Sequence, residues 1–290
     1  MMRRLVRWAA IAFVVFVIVA AVALINNNFG FTHPSRTAFE AQLDTDLDKA
    51  IAWIAAHPEV SATNPPLMFM VADIAKMTSD PRLPPVLAAN VETLHHRYAG
   101  NVLAPYWERF ANPAVGLPLL APYQLGGIAF DQRWFAYSIA PDKVTLSDED
   151  MDNLFSLTKY VWGARHHQIL ALIMYRDFNG PSPKVDDALN KLVEKDARDQ
   201  TYDFRVTDAY IQRNAFILAA GRPDLIRSRW IDRILDNQTA DGSWQYCWHG
   251  WGRGIFEFGT IYPGHTTIQA AWLLAQLKYR YPQWIAEHYH

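Results

Sequence analysis

Asp80-Pro81, Gly180-Pro181, Arg222-Pro223 and Tyr281-Pro282 punctuate a pattern that leaves little choice of fold. Proline lacks a backbone N–H and clashes with the preceding turn, so each dipeptide ends one helix and lets another begin. The helical run ahead of it is apolar around most of its circumference, best seen in Ala215-Phe216-Ile217-Leu218-Ala219-Ala220 and Ala270-Ala271-Trp272-Leu273-Leu274-Ala275. Such a helix has to be buried on both sides. The run behind it is amphipathic, as in Ile226, Trp230, Ile231, Ile234 and Leu235 with charges between them. That run keeps one face in water. Helix pairs recurring every roughly 40 to 57 residues build a solenoid or a closed ring, and buried inner helices alternating with amphipathic outer ones favour the ring.

Individual helices follow from spacing and capping. Phe39, Leu43, Leu47, Ile51 and Ile54 recur at intervals of three and four ahead of Pro58, as one face of a helix requires. Asn64 before Pro65 reads as an N-cap opening a helix to about Met77. Pro84-Pro85 opens another that ends near Gly100, and Tyr123 to Ile139 is expected to be helical after a Gly-rich start. Ser147-Asp148-Glu149-Asp150 has the capping-box form before an apolar-periodic run. Further helices are expected over His166 to Asp177, Lys184 to Gln200, Thr207 to Ala220, Asp224 to Asn237 and His265 to Tyr279. No alternating Val/Ile/Thr-rich run stands between turn signals, so no sheet is expected.

The N-terminus sets the compartment. Arg3, Arg4 and Arg7 precede an uncharged apolar run from Trp8 to Ile25, long enough to cross a bilayer as a helix. Flanking positive charge places its start on the cytoplasmic side, so the rest of the chain is expected in the periplasm or outside the cell. Ala21-Val22-Ala23 offers a competing reading as a cleaved signal peptide, although the apolar run exceeds the usual stretch of about 7–15 residues. Residues 1–28 are thus a single-pass anchor or signal segment, with Asn26 to Asn28 as a polar linker, and residues 29–290 form the folded domain. The lipid bilayer is the expected partner. A formal net charge of -2 and no Lys/Arg run in the body give no footprint for nucleic acid.

Candidate chemistry concentrates between Asn237 and Thr267. A loop of this length in a compact domain works as a lid or binding loop, or is disordered, and its aromatic density argues against disorder. The single cysteine, Cys247, has no intramolecular disulfide partner. It is a buried thiol, a nucleophile or a ligand. Thiolate and imidazole suit zinc, and a metal site would join Cys247, His249 and His265, with Asp241 or His167. Trp248, Trp251 and Tyr262 either plug the end of the ring or stack a ligand. Glu257, alone among aromatics, is a candidate acid whose pKa burial would raise, and with Asp241 it suits glycan hydrolysis or lyase chemistry. In a ring of helix pairs the inner-helix N-termini line one mouth. His166-His167, Asp208 and His265 fall at such positions. An acid there is stabilised by the helix dipole, and a neutral imidazole suits proton transfer.

Ile234-Leu235 followed by Gln238, Gly242 and Trp244, then Trp251-Gly252 and Phe258-Gly259-Thr260, resembles the QW repeat of squalene-hopene and oxidosqualene cyclases. The resemblance implies the α/α-toroid superfamily of terpenoid cyclases and protein prenyltransferases, whose inner helices surround an apolar, aromatic-lined cavity. It implies that Gln238, Gly242 and Trp244 are structural, the Gln capping helix ends and the Trp stacking on it. The acidic DxDD motif of protonating cyclases is absent: Asp44-Thr45-Asp46-Leu47-Asp48 and Asp148-Glu149-Asp150 fall short of it. Asp241, Cys247 and His265 follow the chain order of the prenyltransferase zinc ligands without their close Asp-x-Cys spacing. The expectation is an all-α, membrane-tethered α/α-toroid, an enzyme of terpenoid cyclase-like or glycan hydrolase/lyase-like type. Its ligand would be an isoprenoid, a lipid-linked molecule or a glycan. The alternative is a non-catalytic scaffold that binds a ligand or partner at the membrane.

Overall fold

The structure, a computed structural model, describes residues 2–30, 33–62, 64–156, 164–247, 260–261 and 263–290. The chain is all-helical. Its helices are α1 (Met2–Asn28), α2 (Arg36–Ala56), α3 (Glu59–Ala62), α4 (Pro65–Thr78), α5 (Leu83–Arg97), α6 (Ala104–Glu108) and α7 (Phe130–Ile139). There follow α8 (Asp148–Phe155), α9 (Ala164–Asn179), α10 (Pro183–Tyr202), α11 (Asp208–Ala219), α12 (Ser228–Leu235), α13 (Pro263–Arg280) and α14 (Pro282–His288). Extended structure among the described residues amounts to a two-residue antiparallel ladder, Tyr246–Cys247 with Thr260–Ile261, and one bridge from Leu120 to Val144. The helix expected from Tyr123 begins only at Phe130. Gly126 is extended at ψ 131 and Gly127 takes φ +79, so only a 3-10 turn, Pro122–Leu125, forms ahead of them. Ser147 caps α8 as its motif implies, its hydroxyl accepting from the Asp150 N–H at 3.1 Å.

Among the described residues five helices supply the buried layer: α4, α13, α11, α9 and α7, each packed on the next in that order. In α13 every residue from Thr266 to Leu277 is buried. The five run parallel, because like ends meet. His167 near the start of α9 faces Asp131 near the start of α7, while Asn179 at the end of α9 donates to Ser138 O near the end of α7 at 2.7 Å. His265 in α13 faces Asp208 in α11, while Gln276 and Tyr281 donate to Ala215 O and Leu218 O of α11. Arg280 and Trp272 of α13 both donate to Asp73 of α4, at 2.6 and 2.7 Å. The amphipathic partners α5, α10, α12 and α14 return after the proline turns. Ser79, Gly180 and Gly221, at φ 53, 83 and 85, end α4, α9 and α11; the left-handed conformation releases the chain from the helix and suits glycine best.

A circuit of ring contacts threads these helices. It leaves His166 for Phe216 (6.1 Å), Trp272 (6.1 Å), Phe69 (6.0 Å) and Phe110 (5.6 Å). It continues through Trp107 (6.2 Å) and Phe135 (6.5 Å) to His167 (5.9 Å), the neighbour of its starting point. Aromatic pairs of this kind, edge-to-face except for the stacked Trp107–Phe110, contribute about 0.5–1.5 kcal/mol each beyond area burial.

Asn26 to Asn28 is no linker: it is the last turn of α1. Asn27 is fully buried. Its amide donates to Gln200 O at 3.0 Å, and its carbonyl accepts from the Tyr210 hydroxyl at 2.9 Å and from Arg233. Asn28 donates to Thr201 O at 2.8 Å and accepts from the Trp230 indole at 3.3 Å. Carboxamides have both donors and acceptors, so two of them can satisfy a helix end and clamp it to α10, α11 and α12 at once. From Val6 onward α1 is long and apolar enough to cross a membrane, and its apolar span is not buried against the body.

Gly264, one residue before His265, sets how closely α13 approaches α3. A Cβ there would stand 2.2 Å from Val60 Cγ1. Gly264→Ala should therefore cost about 1–3 kcal/mol through overpacking, read as a lowered Tm in detergent, and Val60→Ala in the same chain should restore most of the loss. An unchanged Tm in the single variant would refute the tight approach.

Candidate functional site

Parallel packing gathers the N-terminal ends of α7, α9, α11 and α13, and three histidine–aspartate pairs lie there. His167 Nδ1 is 3.1 Å from Asp131 Oδ2, His265 Nδ1 is 3.7 Å from Asp208 Oδ2, and His166 Nε2 is 3.6 Å from Asp196 Oδ2. The first two pairs join neighbouring inner helices. The third reaches outward to α10. His265 also meets Gln269, one turn on, with 3.2 Å between their Nε2 atoms. Arg165 places Nε 2.8 Å from Asp196 Oδ1, outside hydrogen-bond alignment, and its guanidinium pairs with Asp199. Arg213 donates to Asp203 at 2.9 Å and to Gln200 at 3.3 Å.

Environment separates the three pairs. Burial pushes the His166 imidazolium pKa well below its ordinary value, and the charges of Arg213 and Arg165 push it further, so His166 is neutral. Asp196 has no exposed surface. Burial pushes its carboxyl up to about 6 against the pull of Arg165 and Arg213. Burial also acts to raise Asp131, but the hydrogen bond and charge of His167, with backbone N–H groups at the start of α7, hold it below the usual carboxylate range. One end of the helix layer thus holds a neutral imidazole, an ionised carboxylate against a second imidazole, and a carboxyl that titrates near 6. Groups whose environments drive their proton affinities apart are the raw material of acid–base chemistry.

Of the residues singled out in the sequence, His166, His167, Asp208 and His265 fall within this cluster. Asp241 does not. It is exposed, and its Oδ1 accepts from the Thr239 hydroxyl at 2.5 Å and from the Ser243 hydroxyl and N–H at 2.8 and 3.1 Å. Those bonds make it a turn-forming acid and hold its carboxyl below the usual range. Trp248, His249, Trp251, Glu257 and Tyr262 lie outside the described residues, as does the side chain of Cys247, whose backbone is in the ladder. Of the zinc candidates Cys247, His249 and His265, only His265 has a described side chain. Among the described residues no group of three or more His, Cys, Asp or Glu side chains is placed to hold a metal ion.

The Gln-Gly-Trp motif is built into the scaffold. Gln238 Nε2 donates to Asp46 O at 2.8 Å, in the middle of α2, and to Gly242 O at 3.1 Å. The helix end is capped instead by Trp244, whose indole donates to Ile234 O of α12 at 2.7 Å. Gly242 takes φ +87, and a Cβ would meet Lys49 O at 2.6 Å. The glutamine that does cap a helix end is Gln168, which donates to the carbonyls of Asn153, Leu154 and Ser156 at 3.1, 2.8 and 2.7 Å. Sequence reasoning passed over it, along with Asp131, Arg165, Asp196 and Arg213. Arg165-His166-His167 at a helix start was the available signal; Asp196 and Arg213 lie mid-helix and gave none.

No family model, curated protein or solved structure matches the chain.

The Asp196 carboxyl, raised from 3.8 to about 6 on folding, binds its proton more tightly in the folded than in the unfolded chain. Its contribution to stability is therefore most favourable below about pH 4 and is lost as pH rises toward 6. Relative to the wild type, Asp196→Asn should gain a few kcal/mol of unfolding free energy across that window, one pKa unit being worth about 1.4 kcal/mol, and stay level above it. Denaturant unfolding in detergent at pH 4, 5, 6 and 8 measures this; a difference that does not vary with pH would refute it.

Proposed function

We propose that the chain is a membrane-tethered, extracytoplasmic enzyme of α/α-toroid architecture, acting on an isoprenoid, lipid-linked or glycan ligand at the N-terminal ends of its inner helices. The toroid is supported by five parallel buried helices with amphipathic partners and by the aromatic circuit that returns from His166 to His167. The resemblance of Gln238 to Thr260 to the QW repeat points the same way. The observation that carries the enzymatic reading is the convergence of His265–Asp208 and His167–Asp131 from four inner helices at one end of the layer. An imidazole at a concave mouth suits proton transfer, and a carboxylate beside it stabilises the imidazolium that forms. In this reading a ligand hydroxyl or a water molecule displaces the Gln269 amide from His265 Nε2 and gives that nitrogen its proton, and the Asp208 carboxylate on the Nδ1 side stabilises the imidazolium that forms. His167, with the ionised Asp131 behind it, is the second proton-transfer group. Hydrophobic ligands are favoured by the aromatic interior beside these pairs, and the compartment implied by α1 admits lipid-linked glycans.

Mass spectrometry of both phases of a lipid extract, taken from the full chain and from His265→Gln and His167→Gln, tests the proposal. Loss of a positioned acid or base slows turnover by about 10²–10⁴-fold, so the variants should retain a polyprenyl or lipid-linked species that the wild type converts. The same ligand in equal amount on all three proteins would sink the enzymatic reading in favour of a binding scaffold. No ligand on any of them would sink both.

A further inference from the structure

The clamp on α1 fixes more than a tether. Asn27 accepts from Tyr210, in the first turn of α11, and Asp208 of the same turn faces His265. Two residues of a helix differ by about 3 Å along its axis. The end of α1 is therefore bound to the same turn of α11 that carries Asp208, at the end of the helix layer where the histidine–aspartate pairs lie. Ahead of Leu24 the helix carries no burying contact with the body that would keep its apolar span out of a bilayer. A bilayer entered by α1 has its surface where the buried asparagines begin.

The surface around that point fits a headgroup layer. Phe29, Tyr202 and Phe204 are 62, 67 and 51% exposed, each within a few residues of the clamp or of the carbonyls it grips. The Arg227 guanidinium lies over the rings of Phe29 and Trp230 at 5.5 and 5.4 Å. Arg229 donates to Asn26 O and Oδ1 at 3.1 and 2.9 Å, and Arg233 donates to Asn27 Oδ1 and, at 2.5 Å, to Phe204 O. Among the described residues, none of the three arginines has a carboxylate within salt-bridge distance. Elsewhere on the body arginines are mostly committed to carboxylates, as Arg82 is to Asp48 and Asp80 and Arg133 to Asp150. Exposed aromatics beside arginines that are not salt-bridged, next to the exit of an apolar helix, match the chemistry of the membrane interface. There, rings sit at the depth of the carbonyl and phosphate groups, and guanidinium groups bind phosphate.

We infer that the end of the body bearing the His265–Asp208 and His167–Asp131 pairs is seated in the phospholipid headgroup layer, on a collar formed by Phe29, Tyr202, Phe204, Arg227, Arg229 and Arg233. The inference rests on α1 being a retained anchor and deepens the proposed function, since a lipid ligand would reach the pairs from the bilayer without crossing water. The Asn27–Asn28 clamp prevents the body from swinging about its anchor.

Photo-cross-linking tests this on the full chain. The benzophenone amino acid p-benzoylphenylalanine is placed singly at Phe204, at Phe16 within α1, and at Tyr279 at the far end of α13, and the protein is reconstituted in vesicles of phosphatidylcholine and phosphatidylglycerol. Lipid adducts at Phe204 and Phe16 with none at Tyr279 are expected. An adduct at Phe16 alone would show the body standing clear of the bilayer, and adducts at all three sites would show contact without orientation. Either result overturns the seating, as does the lack of an adduct at Phe16. In the Asn27→Ala, Asn28→Ala double variant the Phe204 adduct should be lost and the Phe16 adduct kept; an undiminished Phe204 adduct would overturn the clamp. Because His265→Gln should leave every adduct unchanged, failure of the enzymatic reading and failure of the seating are read separately.

Discussion

Five buried helices all point the same way, and most of the polar chemistry in the molecule follows from that. An α-helix leaves four N–H groups unpaired at its start and four carbonyls at its end. When α4, α7, α9, α11 and α13 pack in parallel, the orphan donors collect on one side of the layer and the orphan acceptors on the other. At the carbonyl side the remedy is side-chain donors. Asn179 serves α7, and Arg176 and Tyr281 serve α11. Each such bond contributes about 1 kcal/mol, and each also locks one inner helix to the next.

At the N–H side the same polarity selects for acids and against charged histidines. Asp131 and Asp208 sit in first turns, where the dipole stabilises them. The histidines of α9 and α13 are held beside those acids, and His166, shut in with Arg165 and Arg213, is kept neutral. The far end has its own carboxyl out of its ordinary range. Asp177, though exposed at the surface, is pushed upward by crowding from the protein around its carboxyl and by the nearby Asp73. Asp73 is itself engaged by Trp272 and Arg280. The histidine pairs therefore stand apart not by perturbation alone but by joining adjacent inner helices at the end to which α1 is clamped.

Much of the helical scaffold was legible because its signals are local. The proline turns, the apolar runs of α11 and α13 and the Ser147 cap depend only on residues within a turn or two. The misses have a common cause. Gly126 and Gly127 undo a helix that the surrounding apolar pattern suggests, because backbone freedom outweighs periodicity there. Asn26 to Asn28 looks like a solvated linker until Gln200, Tyr210, Trp230 and Arg233, more than a hundred and seventy residues away, supply its partners. Asp241 was paired with Glu257 and with the zinc candidates, residues farther along the loop, whereas the hydroxyls of Thr239 and Ser243 two residues to either side hold its carboxylate in a turn.

By itself the sequence determined the helix pairs, their buried and amphipathic members, an N-terminal helix apolar enough for a membrane, and the placing of His167, Asp208 and His265 at helix starts. Periodicity, proline and capping are read within single segments. Only the tertiary structure decided that those starts meet, that Asp131 and Asp196 are the acids beside His167 and His166, and that the asparagines of α1 close on the first turn of α11. Pairing across helices depends on how far each is shifted along its neighbour, which is set by packing between segments distant in the chain, such as Gly264 against Val60, and no stretch of sequence contains it.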